Sequence, residues 1–99
     1  MKSIKLGLCA GRHNIPNIDG YVFGEIADPT NIQAMNHQAC NVLFGQYGLT
    51  QGDHLDLYVT GLTVALVEVL RVCLHEGITV TLWHYNRDSG DYYQQPFAE

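Results

Sequence analysis

The chain has 99 residues, 46% of them hydrophobic, with five Lys and Arg against ten Asp and Glu for a formal net charge of −5. This is the composition of one globular domain (residues 1–99) near the small end of self-sufficient cores, and not of a disordered segment. Basic residues are too few to neutralise a run of phosphates, which excludes a protein that tracks long nucleic acid but leaves room for one small phosphorylated ligand.

Ile4 to Cys9 reads as the first strand, with Ile4, Leu6 and Leu8 on one side and Lys5, Gly7 and Cys9 on the other. It runs into a polar loop from Ala10 to Asn17, with Gly11 near its start and Pro16 near its end. Tyr21 to Ile26 is a short strand or an extended segment packed by its aromatics. Asp28-Pro29 has the form of a helix N-cap followed by Pro at the first helical position. Ile32, Met35, Ala39, Val42 and Leu43 recur at helical spacing, so a helix is expected from Pro29 to Tyr47, stopped by Gly48.

Leu55 to Thr60 is the central strand. A tight turn at Thr60-Gly61 starts the second helix, Leu62 to His75, which Gly77 ends. Its apolar residues cover more than one stripe, so it needs cover on more than one side. A homodimer or higher homo-oligomer is the expected source of that cover. Glu68 and Arg71 form an i,i+3 pair. Ile78 to Tyr85 is a further strand. Asn86 to Asp91 is a hairpin connection, and Tyr92 to Gln95 returns antiparallel, ended by Pro96.

The expected fold is therefore α/β: a small Rossmann-like sandwich with a mainly parallel sheet, two main helices, a C-terminal β-hairpin and right-handed crossovers. Cys9, Cys40 and Cys73 lack the spacing of a disulfide framework or zinc site and read as packed small hydrophobes. No run approaches a membrane span and residues 1–10 hold no signal-peptide core, so a cytoplasmic protein without membrane attachment is expected.

Three parallel strands would bring polar turns to one sheet edge. The first supplies Gly11, Arg12, His13 and Asn14, the second Thr60, Gly61, Leu62 and Thr63, and the third His84, Tyr85 and Asn86. Arg12 can pair bidentately with a phosphate. The Thr60 and Thr63 hydroxyls and the amides of Gly61 to Thr63 can hold phosphate oxygens at a helix N-terminus. His84 or Tyr85 can stack on a base, and Asn14 or Asn86 can read a base edge or ribose. No GxGxxG or GxxxxGK[ST] motif is present, which disfavours nicotinamide enzymes and ATPases. No metal cluster, catalytic triad or resident cofactor is expected. His37, His54 and His75 read as structural or exposed.

The run Leu57-Tyr58-Val59-Thr60-Gly61-Leu62-Thr63-Val64-Ala65-Leu66-Val67, with Leu82-Trp83-His84-Tyr85-Asn86-Arg87, resembles small CRISPR-associated Rossmann-fold (CARF-type), ring-nuclease-like proteins. It also resembles short phage proteins of related architecture that handle cyclic-nucleotide or ADP-ribose-derived immune signals. The resemblance covers residues 55–95 best and the Gly11-Arg12 loop in kind. It implies a nucleotide signal bound over the strand ends of a dimer, with Arg12 and the Thr60-to-Thr63 turn as the matching elements. Some proteins of this kind only sequester the signal, which for this chain implies a phage counter-defence sponge in the host cytoplasm. Others cleave it without metal, and a metal-independent phosphodiesterase using Arg12, His13 or His84 is the alternative. A third reading is a protein-interaction module docking through the second helix.

Overall fold

The computed structural model describes residues 1–11 and 15–98. Strand β1 (Ser3–Cys9) lies at the interior of a five-stranded sheet whose order is β2-β1-β3-β4-β5. Its neighbours are β2 (Gly20–Phe23) and β3 (His54–Tyr58), both parallel to it, and β4 (Thr79–Asn86) is parallel to β3. Strand β5 (Asp91–Ala98) closes the far edge, antiparallel to β4. The chain is thus an α/β domain with a mostly parallel sheet and a C-terminal hairpin.

Period-2 alternation decides which side of the sheet is covered. Ile4, Leu6, Leu8, Leu55, Leu57, Val80 and Leu82 are all buried, while Lys5, between two of them, is exposed and His54, Asp56 and Tyr58 are half-buried. Helices α1 (Ile32–Cys40) and α2 (Thr63–Glu76) pack against each other over the apolar face. Both crossovers, β2-α1-β3 and β3-α2-β4, step the same way across the sheet, so a common hand places both helices on one side. Fully burying each of those leucines stabilises the fold by roughly 1.5–3 kcal/mol.

Both ends of the first helix differ from the sequence expectation. The first helix begins at Ile32, not Pro29, because Asn31 takes the capping role: its side-chain oxygen accepts from the Ala34 N–H at 3.1 Å. Asp28 instead holds a turn, accepting from the Thr30 hydroxyl and from the Thr30 N–H at 3.0 Å. Those two bonds, the hydroxyl one first, hold the Asp28 carboxyl below the usual aspartate range. After Cys40 the helix widens into a π-helical stretch, Asn41–Gln46, before Gly48 at φ +66°.

Helix α2 starts at Thr63 and ends at Gly77, whose φ of +72° is the left-handed stop that glycine accommodates. The sheet and α1 together bury Ala65, Val69, Val72 and Cys73. Burial pushes the Cys73 thiol up to about 12, with a smaller contribution from Cys40. Glu68 is also buried, accepting from Asn36 Nδ2 at 3.3 Å and Arg71 Nη1 at 3.5 Å between the helices. Val67 and Leu74 remain exposed, with the half-buried Leu70 between them on one line of α2 and the exposed Arg71 beside it.

Strand β5 continues through Pro96 to Ala98, past the expected end at Gln95. Pro96 is tolerated because β5 is an edge strand with a register shift opposite Val80 and Thr81. Among the described residues no helix is long and apolar enough to cross a membrane.

One carboxylate staples the amino ends of β1 and β3. Asp53 is 7% exposed and accepts from the Lys2 N–H at 2.8 Å and the Thr50 N–H at 2.9 Å. The Lys2 bond first, then the Thr50 bond, hold its carboxyl below the usual range. A depressed folded value stabilises the native state above the unfolded value, and that contribution disappears as pH falls through the folded one. Acid unfolding should therefore show the wild-type chain losing stability steeply below about pH 4. Asp53→Asn should be weaker at neutral pH and flatter over the acid range, read by urea melts at stepped pH.

Candidate functional site

The strand order reverses at the β1–β3 boundary. Strand β1 exits toward β2 on one side, and β3 exits through α2 toward β4 on the other. Ligands in open α/β sheets bind outside the carboxyl ends of the strands at such a switch point. Here Val59 to Leu62 join β3 to α2, with Gly61 at φ +97°, a conformation that costs glycine little.

Thr60 ties the exit of β3 to the end of β1. It is 4% exposed, and its Oγ1 donates to the Cys9 carbonyl at 2.9 Å while accepting from the Cys9 N–H at 3.3 Å. The hydroxyl expected to hold a phosphate oxygen is thus committed to joining β1 to the β3 exit. Thr63 differs: it is exposed at the first position of α2. Leu62 occupies the N-cap of that helix and has no side-chain oxygen, so no side chain caps α2. The first turn also lacks an acidic residue. Its unpaired amides and the partial positive charge of the helix end face outward at the switch point.

A cleft of about 540 Å³ opens at this edge. Cys9, Ala10 and Gly11 line it from the β1 exit, Gly24, Glu25 and Ile26 from the β2 exit, and Leu62 from the α2 cap. Gly24 to Ile26 form a shared wall with a second cleft of about 470 Å³ that reaches the Asn31 cap and Ala34 and Gln38 on α1. Volumes of this order suit a small-molecule ligand.

The structure brings Gly11 and Leu62 together on one cleft wall, with Gly61 and Thr63 flanking Leu62 in the chain. Arg12, His13 and Asn14 lie outside the described residues. The third expected component is elsewhere. Strands β1, β3 and β4 are mutually parallel and do end on one edge, but β4 lies two strands from β1 and extends beyond β3. His84 pairs with Gln95 Oε1 at 2.8 Å and packs on Tyr93. Tyr85 meets Tyr92 edge-on, on the side of the sheet away from the helices. Asn86 Oδ1 accepts from the Asp88 and Ser89 N–H groups and shapes the hairpin turn. None of the three lines the cleft.

Sequence reasoning missed Glu25. Its signal is positional: once Tyr21 to Phe23 pairs parallel to β1, Glu25 stands just past a strand end and lines the same cleft as Gly11. It also missed a polar relay on the helix-free face. His54 Nδ1 lies 2.6 Å from Thr79 Oγ1, and His54 Nε2 lies 3.3 Å from Asp56 Oδ1, which also accepts from Trp83 Nε1 at 3.1 Å. A His and an Asp two apart on a strand share a face, so that spacing was readable. Among the described residues no group of three His, Cys, Asp or Glu could hold a metal ion.

The fold and edge cleft define a small, mostly parallel α/β domain with an anion-suited helix end at its switch point. No protein-family model, curated protein or solved structure matches the chain.

Proposed function

We propose that the chain binds and holds a small phosphorylated nucleotide of the cyclic-oligonucleotide or ADP-ribose class in the carboxyl-edge cleft, on a Rossmann-like scaffold. The observation that carries this reading is the uncapped N-terminus of α2 at the strand-order reversal, directly bordering a cleft walled by Gly11, Gly24 and Glu25. Phosphate oxygens take the amides of the first turn, where the helix end favours negative charge. Glu25, a carboxylate at the exit of β2, suits the other half of such a ligand, because a ribose diol donates hydrogen bonds that a carboxylate accepts. Glycines along the wall let the backbone approach closely. The counter-defence role implied by the resemblance rests on this same pocket: a protein that captures a nucleotide signal without consuming it acts as a sponge.

The test is incubation of the protein with cyclic oligonucleotides, AMP and ADP-ribose, followed by mass spectrometry of the bound fraction before and after heat release. Capture predicts one nucleotide class retained and recovered intact. Recovery as linear or shortened products would make the chain a phosphodiesterase. Glu25→Ala should weaken binding of ligands with a free ribose diol by about tenfold, the effect of losing one charge-assisted hydrogen bond. It should not weaken inorganic phosphate binding, since the lost carboxylate only repels an anion. No retention of any nucleotide sinks the proposal.

A further inference from the structure

The helix-free side of the sheet is ordered in rows across the strands. Register sets Ser3, His54 and Thr79 side by side, then Lys5, Asp56 and Thr81, then Gly7, Tyr58 and Trp83. Its carboxyl half is a connected aromatic layer. Tyr58 stacks on Trp83 at 5.6 Å, Tyr92 meets Tyr58 edge-on at 5.1 Å, and Tyr85 meets Tyr92 at 5.3 Å. The Tyr21 ring and the buried Ile15 of the β1–β2 connection lie over Gly7, where an added Cβ would come within 2.5 Å of the ring and 3.3 Å of Ile15 Cδ1. Tyr58, Trp83 and Tyr92 are only half-buried, and no helix covers them. Apart from Cys9, which lines the edge cleft, no residue of these rows lines either cleft described above. It is a broad aromatic surface, which suits another protein surface better than a small ligand.

Charge selects the occupant. The chain carries −5 overall, yet the central rows of this face hold one cation, Lys5, and one anion, Asp56, as register partners. They do not pair with each other: Asp56 turns to Trp83 and His54, and among the described residues Lys5 Nζ has no ion partner. The Asp19 carboxylate lies beside Lys5, accepting from its N–H at 2.9 Å, but across the β1–β3 register a cation and an anion stand side by side, an arrangement that complements a second copy of itself. Asp56 Oδ1 accepts from Trp83 Nε1 at 3.1 Å, so covering the carboxylate does not strip it of every partner. Area permits it too. The molecule is a slab of 35 × 33 × 19 Å, and a standard interface of about 800 Å² per partner fits within its broad side.

We propose that this face is a homodimer interface, two copies packing sheet on sheet about a two-fold axis that runs along the strands between β1 and β3. That axis lays β1 of each copy over β3 of the other, so Lys5 meets Asp56 of the second copy twice, once in each direction. It also lays β2, with Tyr21, over β4 with Trp83. The interface is independent of the nucleotide reading, since it uses the sheet face and not the edge cleft.

Sedimentation velocity over a wide concentration range tests it, with fluorescence of Trp83, the single tryptophan, as a second readout. The expected result is a dimer whose dilution shifts the Trp83 emission. Lys5→Glu, at an exposed position, removes the one cation of these rows among the described residues and sets like charges together, and should raise the dissociation constant at least about tenfold. Leu74→Glu, on the exposed line of α2, should leave the dimer unchanged. A monomer at every concentration overturns the proposal. So does a dimer indifferent to Lys5→Glu, or one that Leu74→Glu dissociates.

Discussion

Thr60→Val should cost about 2–4 kcal/mol of folding stability, although it exchanges one side chain for another of nearly the same shape. The hydroxyl at this buried position serves the N–H and the carbonyl of Cys9 together. Valine removes both bonds and offers no water path to the two backbone groups it strands. Each unsatisfied buried group costs about 1–3 kcal/mol, more than a hydrogen bond contributes on balance. For a chain of this length the melting temperature should fall by roughly 10–25 °C. Thr60→Ser keeps the bridge and loses a methyl, so it should cost only about 1 kcal/mol. Urea and thermal unfolding followed by circular dichroism decide the matter. If valine and serine behave alike, the bridge does not hold β1 to the β3 exit, and apolar packing alone sets their spacing.

The contrast between Thr60 and Thr63 shows how far the sequence could be read. A strand, a Thr-Gly turn and an apolar helix were legible because Leu55 and Leu57 alternate with polar residues while Ala65, Val69 and Val72 recur at helical spacing. Periodicity reports which side of an element is buried, and both elements follow it. It does not report which of two threonines three residues apart faces the interior, since that depends on a strand 51 residues away in the chain. The first helix shows the same limit locally. Asp28-Pro29 and Asn31 are both good starts, and the Asp28–Thr30 turn decided between them.

Long-range pairing explains the rest. Nothing in Gly20 to Phe23 states that this four-residue strand joins β1 in parallel. Without that pairing Glu25 is an ordinary loop carboxylate; with it, Glu25 borders the same cleft as Gly11. Conversely, His84, Tyr85 and Asn86 do reach the expected edge, but β5 and the hairpin turn engage their side chains. A parallel strand end was readable; the local partners that occupy it were not.

The second large effect separates binding from folding at Thr63. Its side chain is exposed at the start of an uncapped helix, and the first turn holds no acid. An aspartate there meets the positive end of the helix dipole, so Thr63→Asp should leave stability unchanged or raise it by about 0.3–1 kcal/mol. The same carboxylate occupies the region where phosphate oxygens would sit. Two negative charges about 5 Å apart at an effective dielectric near 20 repel by roughly 3 kcal/mol, a weakening on the order of a hundredfold at low salt. Thr63→Lys should act the opposite way on both counts, tightening nucleotide binding while slightly destabilising the helix start. Added salt should shrink both differences, because the exposed charges are screened within about 10 Å at 0.1 M. Calorimetric titration of each variant at two ionic strengths, beside its melting curve, reads the two effects separately. A Thr63→Asp protein that is as stable as wild type and binds nucleotide equally well would remove the α2 terminus from the site. Loss of binding with intact stability instead ties the affinity to this helix end, because a general loosening of the fold would have lowered the melting temperature as well.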